Sequence, residues 1–291
     1  MDPIVQACQK GQAGDLAREH IASVVNLFRT QEREHVELEM RIGTLVSMTA
    51  DDTPRFVPGV NVAVFAQLMD DLSSVADLDS DDAWTEVADH FYKMPNGKDV
   101  RTRIEYDADS MSLRKTHTVK ELLHRAVVRR EDDPRDACRV DLAVEHPIAP
   151  PPAVCMLTHV RLKHRRRFVD RRNGDVVWCY ELSKVWSANS RIGVDKKQQE
   201  SEPIYEIEVE LVDRAGRYSD GRSDNFIAES MLRKIKGLMG DAPTCGVITS
   251  IEAVASKEGK REGKSAGGKK AHQNVATRRV SGKTKSTSQP Q

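Results

Sequence analysis

Hydrophobic positions along this chain change their spacing from segment to segment, and the spacing predicts the elements. Residues 15–30 carry Leu16, Ile21, Val24, Val25 and Phe28 near helical spacing behind a capping Asp15, the recurrence expected of an amphipathic helix. After Pro58-Gly59, Asn61 can cap a second helix with Val64, Phe65, Leu68, Leu72 and Val75 on one face. A third is predicted over 226–239, from Phe226, Ile227, Met231, Leu232, Ile235 and Leu238. Between these helices lie period-2 or β-rich runs, near 36–46, 85–93, 100–107, 111–119, 138–146, 156–170, 176–187 and 204–212.

Turn residues separate the runs: Pro95-Asn96-Gly97, Asp107–Ser110, the prolines at 147 and 150–152, Asn173-Gly174, and a polar stretch at 189–202. Asn-Gly between two alternating runs is the strongest of these hairpin signals. Eight such strands predict a mainly β (α+β) chain: a closed eight-stranded antiparallel β-barrel with a few helices packed outside.

Three strands carry unusual charge. In Val36–Gly43 the alternation puts Glu37, Glu39 and Arg41 on one face and Val36, Leu38, Met40 and Ile42 on the other. In 204–211, Glu206, Glu208 and Glu210 share one face, opposite Tyr205, Ile207, Val209 and Leu211. In 160–165, Arg161, Lys163 and Arg165 stand opposite Val160 and Leu162. A single Glu-x-Glu strand is ordinarily a solvated sheet face. Rows of one sign are different, because like charges along one face repel. Such rows suit a multivalent partner of opposite sign: carboxylates hold a divalent cation, and guanidinium and ammonium groups hold its polyphosphate.

Composition adds an asymmetry to this picture. The 291 residues balance 45 basic against 45 acidic, yet the segment from Ser256 onward holds ten Lys/Arg and two acidic residues. The remainder is therefore acidic, with 35 basic and 43 acidic. A basic tail on an acidic body points to nucleic acid or a nuclear address. Its poverty in large apolar residues predicts disorder. Five scattered cysteines (8, 138, 155, 179, 245) form no C-x-x-C pair, so neither a zinc site nor a disulfide framework is indicated, and a reducing compartment is expected. No apolar leader or 18-residue apolar stretch occurs, so no membrane partner is expected.

The two glutamate strands, VELEMRIG at 36–43 and YEIEVEL at 205–211, resemble the first and last glutamate strands of the fungal, protozoan and viral RNA triphosphatases. These are the triphosphate tunnel metalloenzymes of mRNA capping. The likeness spans roughly residues 30–240 and includes the Arg-x-Lys-x-Arg strand between the glutamate rows. It implies that Glu37, Glu39, Glu206, Glu208 and Glu210 hold Mg2+ or Mn2+, and that Arg161, Lys163 and Arg165 act on the phosphate, with Arg41 beside them. It also places Arg101 or Arg103 and Lys115 on the phosphate, and Glu145 at the attacking water. The strand holding Glu181 and Ser183 departs from the family's usual Asp-Leu-Thr; the resemblance gives Glu181 a catalytic place, with its carboxylate one methylene further out.

The expected reaction is removal of the γ-phosphate from the 5′-triphosphate end of RNA, the first step of cap formation, by metal-assisted in-line attack of water. Nucleoside triphosphates are expected substrates too, and a separate capping guanylyltransferase an expected partner, in the nucleus or, for a viral enzyme, the cytoplasm. The expected organisation is a helical segment (1–30), a tunnel domain (31–245) and a basic tail (246–291). Two other readings stay open: a tripolyphosphatase or other triphosphate-processing tunnel enzyme, and a non-catalytic RNA-binding scaffold.

Overall fold

The computed structural model describes residues 13–31, 33–46, 54–75, 78–80, 83–107, 111–130, 136–173, 176–212, 224–239 and 244–247. The basic tail, the Asp107–Ser110 turn beyond Asp107, and Gly174 lie outside the described residues. In chain order the elements are α1 (Ala13–Thr30), β1 (Val36–Val46), β2 (Arg55–Pro58), α2 (Val62–Ser74), β3 (Leu78–Ser80), β4 (Thr85–Lys93), β5 (Asp99–Asp107) and β6 (Ser112–Arg130). There follow β7 (Asp136–Pro147), β8 (Met156–Asn173), β9 (Val176–Ala188), α3 (Arg191–Glu200), β10 (Ile204–Val212), α4 (Asp224–Met239) and β11 (Thr244–Val247). None of the described helices is long and apolar enough to cross a membrane.

Eight of the strands form a closed antiparallel ring. Its order is β1, β7, β6, β5, β4, β8, β9, β10, and β10 returns to β1 through Leu38↔Leu211 to Arg41↔Glu208. The short strands β2, β3 and β11 extend the ends of β1, β8 and β6. All eight predicted runs are barrel strands, and closure leaves the ring without an unpaired edge.

The hydrophobic core lies outside this barrel. Leu38, Met40 and Ile42 of β1, Ile207, Val209 and Leu211 of β10, and Val140 and Leu142 of β7 point away from the lumen. They pack with Ile21, Val24, Val25 and Phe28 of α1 and Ile227, Met231 and Ile235 of α4, all buried. Each large apolar side chain buried there contributes about 1.5–3 kcal/mol. The other face of the same strands is thereby left to the charges. Asn61 caps α2 as predicted, its side chain accepting from Val64 N at 2.9 Å.

The short strands β2, β3 and β11 match no expected run, and Asp15, expected to cap α1, lies inside it, since the helix starts at Ala13. Two further elements differ from the sequence expectation. The polar stretch at 189–202 contains α3, capped by Ser190, whose Oγ accepts from Gly193 N at 3.1 Å. Only Val194 of that helix is buried, so no apolar stripe announced it. β6 continues to Arg130 rather than ending near 119. Its pairing with β7 shifts between Leu122 and His124, and this bulge breaks the period-2 alternation by one residue.

Near its C-terminal end β1 changes partner. Beyond Arg41 it leaves β10 and pairs with β2, Gly43↔Pro58 onward, while Val60 bridges to Tyr205 of β10. Gly43 allows this, because a Cβ there would strike Val57 O and the Phe56 ring. Gly59 turns the chain at φ 133°, a conformation that favours glycine.

Candidate active site

Residues paired across antiparallel strands share a face, so following the register around the ring sorts the charges. Glu37, Glu39 and Arg41 share the lumen with Asp141 and Arg139 of β7 and with Glu208 and Glu210 of β10. On other walls Asp89 faces inward beside Arg103 and Arg161, and Lys120 beside Glu145. These side chains bound a cavity of about 300 Å³. A larger groove of about 1070 Å³ lies outside the barrel, lined mainly by apolar groups such as Val57, Val64, Leu68 and Ile204. Size favours the groove, but the clustered ionisable groups are in the lumen, and they decide where chemistry is possible.

Nearly every lumen cation meets a carboxylate. Arg41 donates to Glu39 at 3.2 Å and to Glu208 at 3.0 Å. Lys120 reaches across from β6 to Glu37 at 3.1 Å and Glu39 at 2.9 Å. Arg101 donates to Glu145 at 2.5 Å, and Arg103 grips Asp89 through two bonds of 2.8 and 3.1 Å. Lys163 donates to Glu181 at 3.2 Å, and Arg165 to Glu181 at 3.3 Å and Glu105 at 2.8 Å. Burying so many charges costs several kcal/mol for each unpaired ion, and this pairing is what makes the lumen tolerable.

The pairing is uneven, and the proton affinities record it. Burial raises the pKa of Glu37, which Lys120 opposes and the Glu145 and Glu39 carboxylates reinforce. Glu210 is pushed up to about 8 by burial and by Glu37 and Glu208. Burial works against ionisation of Glu39 as well, but Arg41 and Lys120 outweigh it and hold that carboxyl well below the usual range. Asp89 and Glu181 behave likewise: against burial, Arg103 takes Asp89 down to about 2, and Lys163 and Arg165 take Glu181 down to about 2. Crowded carboxylates short of positive charge therefore gather where β1 meets β10.

Four of the five row glutamates, Glu37, Glu39, Glu208 and Glu210, bound the cavity together. Glu206 does not. Both of its oxygens accept from Arg161 at 2.6 Å, because β1 has already turned to β2 at that level and leaves no β1 glutamate opposite. Arg41, Arg101, Arg103, Glu145, Arg161, Lys163 and Glu181 all bound the cavity. Arg165 sits behind them, pinned between Glu181 and Glu105.

Lys115 is not brought into the lumen. It pairs with Ile104 and is exposed on the outer wall, since a shift of one residue moves a side chain to the opposite face of a strand. The lumen lysine of β6 is Lys120.

Sequence reasoning missed Lys120, Arg125, Asp89, Glu105, Arg139 and Asp141. Arg139 and Asp141 alternate in step with Glu145, and Glu105 with Arg103, so extending each face by two residues was a usable signal. Lys120 and Arg125 lay beyond the expected end of β6.

Among the described residues no three acidic, His or Cys side chains already converge as a metal shell. Arg41 and Lys120 draw Glu39 and Glu208 aside. The donor set is nonetheless the hard-oxygen set that Mg2+ or Mn2+ takes, and the raised Glu37 and Glu210 are the acids that a cation would ionise.

The same fold occurs in solved structures. The S. pombe Pct1 RNA triphosphatase overlays with a TM-score of 0.54 at 16% identity, covering 76% of this chain and 91% of that one. Pct1 in complex with the Spt5 CTD gives 0.56 at 16% identity, covering 77% and 93%. The RNA triphosphatase domain of a trifunctional mimivirus mRNA capping enzyme aligns at 0.47 and 13% identity, covering 77% and 96%. At this identity the likeness to Pct1 is one of fold. No protein-family model matches the sequence, and no curated protein matches it.

Proposed function

We propose that this chain is a divalent-metal-dependent phosphohydrolase that removes the γ-phosphate from 5′-triphosphate-ended RNA, as the first step of cap formation. The observation that carries this reading is the lumen: a closed barrel with four carboxylates on the β1–β10 wall and cations on the walls facing it. The fold it shares with solved RNA triphosphatases and the glutamate motifs support the same conclusion.

Glu37, Glu39, Glu208 and Glu210 would hold Mg2+ or Mn2+, with Glu206 held in reserve by Arg161. When bound, the cation would neutralise charge growing on the γ-oxygens. The chain's own side chains do the rest. Arg101, Arg103, Lys120, Arg161 and Lys163 bind and orient the phosphoryl oxygens, as fixed charges that need no reorganisation during reaction. Glu181 acts through Lys163 and Arg165, fixing their direction. Glu145 is anchored by Arg101 through Oε2, while its buried Oε1 has no partner among the described residues. That oxygen is free to accept a proton from water near the phosphorus.

The deciding experiment is phosphate release from γ-labelled triphosphate RNA in Mg2+ and in Mn2+, with Glu39→Ala as control. No release in either metal, or release undiminished in Glu39→Ala, sinks the reading. We assign the basic tail from Ser256 to nuclear delivery, testable by fusing it to a fluorescent protein. A separate guanylyltransferase as partner is the matching expectation for the capping step, testable by co-purification.

A further inference from the structure

Charge is not matched evenly along the lumen. On β6, Arg114 and Arg125 lie on either side of Lys120. In one direction Arg114 and Arg165 share Glu105, and Arg165 has Glu181 as a second carboxylate. In the other direction Arg125 and Arg139 share one carboxylate. Arg125 donates to both Asp141 oxygens, at 2.6 and 2.9 Å. Arg139 Nε lies 3.0 Å from Asp141 Oδ2 but without a well-directed hydrogen bond. The Arg41 Nε next to it is also buried without an acceptor among the described residues. Burial, with Arg125 and Arg41 close by, lowers the pKa of the Arg139 guanidinium. At this end of the cavity two guanidiniums share one carboxylate, and two buried Nε donors find no acceptor among the described residues.

An aromatic ring completes it. Phe56 of β2 lies over the Arg139 guanidinium, 4.8 Å from Cζ to ring centroid, within the range of a cation–π contact. Phe56 reaches that place because Gly43 has no side chain; a Cβ there would collide with Phe56 Cζ. Phe91 bounds the same cavity from β4. A guanidinium pair with an aromatic face beside it is what single-stranded nucleotides bind: charge for the phosphate and a platform for the base.

We propose that Arg125, Arg139 and Phe56 form a nucleotide subsite, and that RNA reaches the lumen through this end of the barrel. The guanidiniums take the phosphate oxygens nearest the nucleoside, and Phe56 takes the first base. The inference rests on the RNA reading above and adds to it the basis for preferring RNA over inorganic triphosphate.

The test compares hydrolysis of a 5′-triphosphate oligoribonucleotide and of inorganic tripolyphosphate by wild-type, Arg139→Ala and Phe56→Leu protein. Leucine keeps apolar contact with β1, and Arg139→Ala leaves Asp141 paired with Arg125, so both variants are expected to fold, as thermal melting will show. Phe56→Leu should lose kcat/KM on RNA by about tenfold more than on tripolyphosphate, through KM, whereas Arg139→Ala, facing a phosphate that both substrates carry, should lose on both. Equal losses on both substrates in Phe56→Leu, a loss there confined to kcat, or no loss on either substrate in Arg139→Ala, overturn the subsite and leave the RNA reading standing. Wild-type protein that cleaves tripolyphosphate but not RNA overturns both.

Discussion

Arg41 of β1 donates to Glu208 of β10 at 3.0 Å, across the seam where the first and last strands of the barrel close on each other. The guanidinium also reaches Glu39, so one cation neutralises carboxylates from both sides of the seam.

Removing that cation leaves two buried carboxylates facing each other. Arg41→Ala should therefore destabilise the metal-free protein by about 3–5 kcal/mol, the usual cost of breaking a buried ion pair. Added Mn2+ should restore part of the loss, because it brings back positive charge at the same carboxylates. Urea unfolding with and without MnCl2 measures both effects; equal losses in the two conditions would show that metal and guanidinium do not act on the same groups.

The two lysines of β6 should part company. Lys120→Ala should lower turnover by about 100-fold, as expected on losing one preorganised charge from the lumen. Lys115→Ala should leave it near wild type, since that side chain is exposed on the outer wall. Steady-state kinetics on triphosphate RNA distinguishes them, and the opposite order would mean that β6 is read in the wrong register.

Divalent metal should raise thermal stability. Saturation at about 100 times Kd contributes about 2.7 kcal/mol, or about 5–10 °C for a domain of this size. The shift should shrink in Glu210→Gln, which removes a donor from the crowded wall. Differential scanning fluorimetry with Mg2+, Mn2+ and chelator is the measurement, and an unchanged melting temperature argues against the metal assignment.

Because the core lies outside the barrel, stability and chemistry should separate. Phe28 of α1 is only 2% exposed, and Phe28→Ala should cost about 3–5 kcal/mol through the cavity it leaves. Activity per folded molecule should stay close to wild type below the lowered melting temperature.

His20 of α1 and His124 of β6 meet at 3.2 Å between Nε2 atoms. Burial lowers the pKa of both, and His124 lowers that of His20 further, whereas the nearby Asp141 works to raise that of His124. Above about pH 7 both are neutral, folded or unfolded, and the pair has no pH dependence. As pH falls through about 6.5 the unfolded chain takes up protons first, so stability should drop as pH falls below about 7. His124→Gln should flatten that slope, and denaturant titrations at several pH values will read it.

Much of this was legible along the chain. Val36–Gly43 and 204–211 each alternate without interruption, so their glutamate faces could be assigned by parity alone. Asn61 was readable as a cap for the same local reason. Lys120 keeps step with Thr116 and Thr118 and lay just past the expected end of β6, whereas Arg125 was not legible, because the bulge after Leu122 shifts the alternation by one residue. Glu206 looked equivalent to Glu208, yet β1 turns away to β2 just where Glu206 would meet it. No local pattern in either strand shows that divergence; it depends on Gly43 meeting Phe56 and Val57, contacts made between segments a dozen residues apart.

The sequence by itself determined which residues share a face, since side chains alternate along any extended strand whatever surrounds it. It also determined that those faces carry charge of one sign. Only the tertiary structure decided that the charged faces turn inward, with the apolar ones taken by α1 and α4, and which carboxylate meets which cation across the lumen. Those choices depend on register between strands as far apart as Glu39 and Lys120, and register is settled by closing the whole ring at once.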